Sequence, residues 1–216
     1  MISENTKKRI ITSFFLIFLI FTMIKSNFIL TYLLLVISII SFIEFSKISK
    51  RIFRNKTFLI MSNFFFIIYL FLFCLYFFVL STHLYLKIIL YILIFGCVAS
   101  DIGGFIIGKL IKGPKLTRIS PNKTYSGAIG ALIFSFLFMS ISFFLLFDKY
   151  NLTILVFTIL TSISCQIGDL FFSFLKRKAK IKNTGEILPG HGGILDRIDG
   201  MLLAIPTGLI SLIILS

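Results

Sequence analysis

Apolar runs recur along almost the whole chain, and between them stand short segments rich in lysine and arginine. They fall at 10–24, 28–43, 58–80, 86–107, 126–147, 152–175 and 194–215. Each approaches the roughly 20 residues that a helix needs to cross about 30 Å of hydrocarbon. With 58% of the 216 residues hydrophobic, against roughly 45–50% in a soluble domain, too little polar surface remains to face water on every side. Lipid is the expected solvent, and the expected fold is all-α: a polytopic transmembrane helical bundle of about seven spans.

The basic residues orient it. Nineteen of the 22 lysines and arginines lie in alternate segments: Lys7 to Arg9, Lys47 to Lys56, Lys109 to Lys123, and Lys176 to Arg197. The other segments hold only Lys25, Lys87 and Lys149. Cytoplasmic loops carry such an excess, so the N-terminus is expected inside the cell. The first run follows three basic residues but no small-residue cleavage site precedes the next run, which reads as a retained anchor. The net charge of +14 is thus first a topology signal and an attraction to anionic headgroups, and no nucleic-acid partner is expected. Cys74, Cys97 and Cys165 fall inside apolar runs without C-x-x-C spacing, which argues against zinc or disulfide chemistry.

Two segments are richer than topology requires: Asp101–Gly127 and Gly168–Gly200, which together hold five of the eight acidic residues. Asp101 and Asp169 lie within or at the ends of apolar runs, where a carboxylate costs about 2.5–3.5 kcal/mol unless paired, hydrated or metal-bound. Each therefore either pairs with a nearby base or serves a function. Asp196 and Asp199, spaced i, i+3, share one helix face. They follow Pro189-Gly190-His191-Gly192-Gly193, a turn able to aim backbone N–H groups at an anion where a helix N-terminus also favours phosphate. Acids at that terminus repel phosphate unless a cation intervenes, so the combination suggests a divalent metal bridging protein to phosphates. Lys123, after Ser120-Pro121-Asn122, and Lys176-Arg177 are further phosphate candidates. His191 is a candidate for phosphate contact or proton transfer.

The second segment resembles the signature of the phosphatidate cytidylyltransferase (CDP-diacylglycerol synthase) family, S-x-x-K-R, K-D and P-G-H-G-G-x-x-D-R-x-D. The matching residues are Ser173, Lys176, Arg177, Lys182, Pro189, Gly190, His191, Gly192, Gly193, Asp196, Arg197 and Asp199. Gly168-Asp169-Leu170 and the first segment, with Asp101, Phe105, Gly108, Lys109, Lys115 and Ile119 to Thr124, also resemble family motifs. Two positions depart: the family's K-D is Lys182-Asn183, and Ser126 stands where an acidic or amide residue is usual. The resemblance implies transfer of CMP from CTP to phosphatidate, giving CDP-diacylglycerol and pyrophosphate, with Mg²⁺ and in some members K⁺. It implies catalytic roles for Asp169, Asp196, Asp199, Lys176 and His191, with Asp169 and Asp196 the metal pair. It implies substrate contacts from Asp101, Ser120, Lys123, Arg177, Gly192, Gly193 and Arg197. It further implies a homodimer in the inner (plasma) membrane, with the active site facing the cytoplasm.

The domain organisation expected is one integral membrane domain. Its N-terminal helices occupy 1–85, and a catalytic region occupies 86–216 with cytoplasmic loops 108–125 and 176–193. Glu44, ending the second run, resembles an acid of that family, but an interfacial residue facing Lys47 is the simpler reading. Three other functions compete: a transporter, a CTP-dependent enzyme acting on another lipid phosphate or a polyprenol, and an inactive scaffold. A transporter should spread its polar residues near the midplane, whereas here they gather at the cytoplasmic ends of spans four, six and seven.

Overall fold

A computed structural model describes residues 12, 14, 18–117, 120, 123–148, 151–187 and 192–215. Six long helices follow in order: α1 (Asn27–Ile52), α2 (Lys56–Thr82), α3 (Leu84–Ile111), α4 (Tyr125–Phe147), α5 (Leu152–Lys178) and α6 (Leu195–Leu215). All six are long and apolar enough to cross a membrane, and the protein is an all-α, multi-pass membrane protein. Hydrocarbon offers the backbone no hydrogen bonds, so helices that satisfy their own are the available solution. Large side chains such as Phe64, Phe71 and Leu145 lie on the outside, where lipid replaces water.

The helices coincide with six of the seven expected spans. Of the first, 10–24, only Thr12, Phe14 and residues 18–24 are described, and these are helical; the rest lies outside the described residues. Several helices overrun the apolar stretch. The first labelled helix continues past residue 43 to Ile52, so Glu44, Lys47, Lys50 and Arg51 sit on a helix instead of a loop. Among the described residues no strand occurs, and Lys115 and Thr124 form an isolated antiparallel bridge.

The chain forms two compact units, Met1–His83 with Leu175–Ile198, and Leu84–Phe174 with Asp199–Ser216. In the first, α1 and α2 pack antiparallel. Asn27 donates to the Ser81 carbonyl at 3.2 Å, Ser38 meets Cys74 at 2.8 Å, and the rings of Phe45 and Phe66 stack at 3.8 Å. The segment after α5 belongs to this unit, with the N-terminal helices and not with residues 84–174.

In the second unit α3 and α4 meet along small residues. A Cβ on Gly127 would stand 2.9 Å from the Gly104 carbonyl, and one on Gly130 would stand 2.8 Å from the Gly103 carbonyl. Close backbone approach through small residues is a common way for helices to associate in lipid, where apolar burial no longer distinguishes protein from solvent. The α5 and α6 portions of this unit also pack antiparallel, with Gly168 against Gly200 and Gly208 against Thr161.

Candidate active site

In the unit Leu84–Phe174 with Asp199–Ser216, the described residues of the loop joining α3 to α4 pair across it as a hairpin base. Lys112 adopts φ 58° and Gly113 φ 114°, conformations that turn the chain out of α3. Leu116 N–H then donates to the Lys123 carbonyl at 2.8 Å, Lys123 N–H to the Ser120 carbonyl at 3.0 Å, and Tyr125 N–H to the Pro114 carbonyl at 3.1 Å. Thr124 ends the hairpin as N-cap of α4, its hydroxyl accepting from Gly127 N–H at 3.1 Å. This order fixes the backbone of Lys123. Its ammonium donates to the Asp169 carboxylate, whose other oxygen accepts from Ser173 at 3.3 Å.

The Lys123–Asp169 pair lines a cavity of about 230 Å³ with Ser100, Asp101, Thr124 and Gln166. Complete small-molecule pockets run to roughly 300–1,000 Å³, so this one suits a phosphate or part of a nucleotide. Both side chains keep 30% of their surface exposed, and the pair is open to exchange of partners.

The unit Met1–His83 with Leu175–Ile198 holds a second lysine–carboxylate pair. Lys176, in the last turn of α5, donates to Asp196 Oδ1 at 2.7 Å. Asp196 Oδ2 accepts from the backbone N–H groups of Thr184 at 2.9 Å and Gly193 at 3.1 Å. Side-chain exposure is only 12% for Lys176 and 9% for Asp196. Beside them Glu44, on α1, accepts from the Thr184 hydroxyl at 2.7 Å and from the N–H groups of Ile194 and Leu195 at 3.1 and 2.9 Å. The N–H groups that open α6 are therefore engaged by the protein's own carboxylates. The backbone cradle for phosphate anticipated at this helix terminus is, for residues 193–195, a cradle for Asp196 and Glu44.

A model of the cytidylyltransferase family matches residues 51–215. The chain belongs to the cytidylyltransferase family. It is similar to the phosphatidate cytidylyltransferase of Helicobacter pylori, 46% identical over 106 residues that cover 49% of this chain and 40% of that protein. It is likewise similar to the phosphatidate cytidylyltransferases of Staphylococcus haemolyticus, 46% over 111 residues (50% and 42%), and Mycobacterium leprae, 38% over 113 residues (52% and 36%). The matched stretch thus spans about two fifths of these relatives' length.

Of the residues expected at the site of this family member, Asp101, Lys123 and Asp169 come together at one cavity. Lys176, Asp196, Gly192 and Gly193 come together in the other unit, where a Cβ on Gly192 (φ 85°) would stand 3.0 Å from Asp196 Oδ2. Asp199 is buried and accepts from Gly200 N–H at 2.8 Å. Ser120 serves the hairpin, its N–H donating to the Thr117 hydroxyl at 3.2 Å. Arg177 and Arg197 are exposed. His191 lies outside the described residues, as do Pro189 and Gly190. The unusual Ser126 ties the hairpin by donating to the Lys112 carbonyl, and Asn183 is exposed.

Sequence reasoning missed Thr184 and set Glu44 aside. Glu44 resembled a family acid and was costly as an acid at the end of an apolar run, but a neighbouring Lys47 offered a simpler account. It precedes the stretch matched by the family model.

The carboxylates fit a hard divalent cation in one particular way. Among the described residues no three of His, Cys, Asp and Glu cluster as a metal cage, and both Asp169 and Asp196 already carry a lysine. Mg²⁺ commonly takes one or two protein carboxylates and completes its shell with water and substrate phosphates. Such a shell suits these oxygen donors.

Proposed function

We propose that the protein is a CTP:phosphatidate cytidylyltransferase of the inner membrane, with its active site facing the cytoplasm. What supports this is the Asp101, Lys123 and Asp169 cavity in a chain of the cytidylyltransferase family whose relatives bear that name. In the reaction a phosphatidate phosphate oxygen attacks the α-phosphorus of CTP. The bond to the β-phosphate breaks, and pyrophosphate leaves. Two polyanions must be brought together in line, so positioning and charge neutralisation dominate.

Lys123, preset by its hairpin, neutralises a phosphate in the cavity, while Asp169 holds the ammonium in place before substrate arrives. Asp101 and Ser120 line the approach. Lys176 is held by Asp196 and, with Arg177, His191 and Arg197, supplies positive charge toward phosphate; Gly192 and Gly193 shape the turn between them. Asp199 is assigned a supporting role by resemblance. By resemblance Asp169 and Asp196, each in its own unit, are assigned as residues that would bind Mg²⁺, with K⁺ an accessory cation. The metal supplies Lewis-acid stabilisation of charge on the phosphoryl oxygens. A homodimer belongs to the same reading, by resemblance.

The test is Mg²⁺-dependent transfer of label from CTP into chloroform-extractable lipid by the purified protein in detergent with phosphatidate. Labelling is expected, and Asp196→Asn should abolish it. A folded protein that labels no lipid at any Mg²⁺ or K⁺ concentration would remove the proposal.

A further inference from the structure

Glu44 is the most deeply buried carboxylate among the described residues, at 1% exposure. Glu44 takes part in neither of the ion pairs Lys123–Asp169 and Lys176–Asp196. A carboxylate out of water with no cation is costly unless its lone pairs are filled. Here three donors fill them: one hydroxyl and two backbone N–H groups at the start of α6, where the helix dipole also favours negative charge.

These donors reach Glu44 because the turn has no side chain to prevent it. A Cβ on Gly185 would stand 2.5 Å from Glu44 Oε1, and one on Gly193 would stand 2.5 Å from Oε2. Thr184 joins the two carboxylates, giving its hydroxyl to Glu44 and its N–H to Asp196. Gly193 gives its N–H to Asp196, and the next two residues give theirs to Glu44. Of the two backbone donors to Asp196, Thr184 is thus fastened to α1 through its own hydroxyl, and Gly193 adjoins two residues that are. Remove Glu44, and Thr184 and the first turn of α6 lose their common anchor.

We propose that Glu44 is a positioning residue. It fixes Thr184, Ile194 and Leu195 so that Asp196 presents its carboxylate in the orientation that Mg²⁺ requires. The assignment of Mg²⁺ to Asp196 is taken from the proposed function; the hold on the turn stands without it.

Glu44→Gln keeps the size of the side chain but turns an NH₂ group toward donors. In the full-length protein in detergent, hydrogen exchange at the amides of Thr184, Ile194 and Leu195 is expected to quicken about ten-fold or more, with the α3–α4 amides unchanged. In the CTP assay, the Mg²⁺ concentration for half-maximal rate should rise about ten-fold while the rate at saturating Mg²⁺ falls less than about three-fold. Thr184→Val, which removes one donor and little volume, should move both readouts in the same direction by less, and it decides the matter if Glu44→Gln does not fold.

Unchanged exchange at those amides overturns the hold on the turn. Quicker exchange with an unchanged Mg²⁺ dependence, or a loss only of maximal rate, makes Glu44 a structural residue and overturns its role toward the metal. An inactive wild type would instead count against the proposed function, and exchange would still report on the hold.

Discussion

Two lysine–carboxylate pairs, one in each unit, look alike in sequence and differ in their surroundings. Lys123–Asp169 stands at an open cavity with 30% of each side chain exposed, and Asp169 has one further protein donor, Ser173. Lys176–Asp196 is nearly closed off, and the turn supplies Asp196 with two backbone donors besides the lysine. The first pair is partly hydrated, and water screens the attraction between its members. The second is built into the fold, so its geometry is set before any ligand binds.

The sharpest way to break this comparison is Asp196→Asn, which should remove lipid labelling, a loss on the order of 100-fold or more. It also breaks the Lys176–Asp196 ion pair in a largely buried position, and the cost should be about 3–5 kcal/mol, seen as a fall in the detergent melting temperature. Asp169→Asn should abolish activity to a similar degree yet cost only about 1 kcal/mol in stability, since its pair is partly exposed. Equal losses of melting temperature in the two variants would erase the distinction.

Gly193→Ala carries the comparison to the turn. Its added methyl meets Glu44 and Thr184, and a destabilisation of about 1–3 kcal/mol is expected from overpacking, measurable in the same melting assay. The smallest effect belongs to the hairpin. Ser126→Ala removes one donor to the Lys112 carbonyl and should cost about 1 kcal/mol or less. A greater loss of CTP turnover than of stability would show that Ser126 also sets the place of Lys123.

The spans were legible because a bilayer imposes a length, and an apolar run of that length is a local property of the chain. The six helices accordingly lie within a few residues of the apolar runs, apart from basic ends such as Glu44–Ile52 of α1. The candidate site was legible in its parts: Asp101, Lys123 and Asp169 were singled out by the cost of acids in apolar runs and by resemblance, and they do share a cavity. The small-residue seam of α3 and α4 was not foreseen, since glycines at 103, 104, 127 and 130 carry no apolar or charged pattern and show their purpose only when two backbones meet.

By itself, the sequence determined that this is a helical membrane protein, where its spans lie, and which acids and bases are too costly or too patterned to be incidental. These follow from hydropathy and charge, which act over one turn or one run. Only the tertiary structure decided which groups satisfy those acids. Glu44 takes its donors from residues 140 to 151 positions away, and the N–H groups at the head of α6 turn to carboxylates of the chain itself. Hydrogen-bond partners are chosen by distance in space, and once a chain has crossed the membrane several times, separation along the sequence no longer measures that distance.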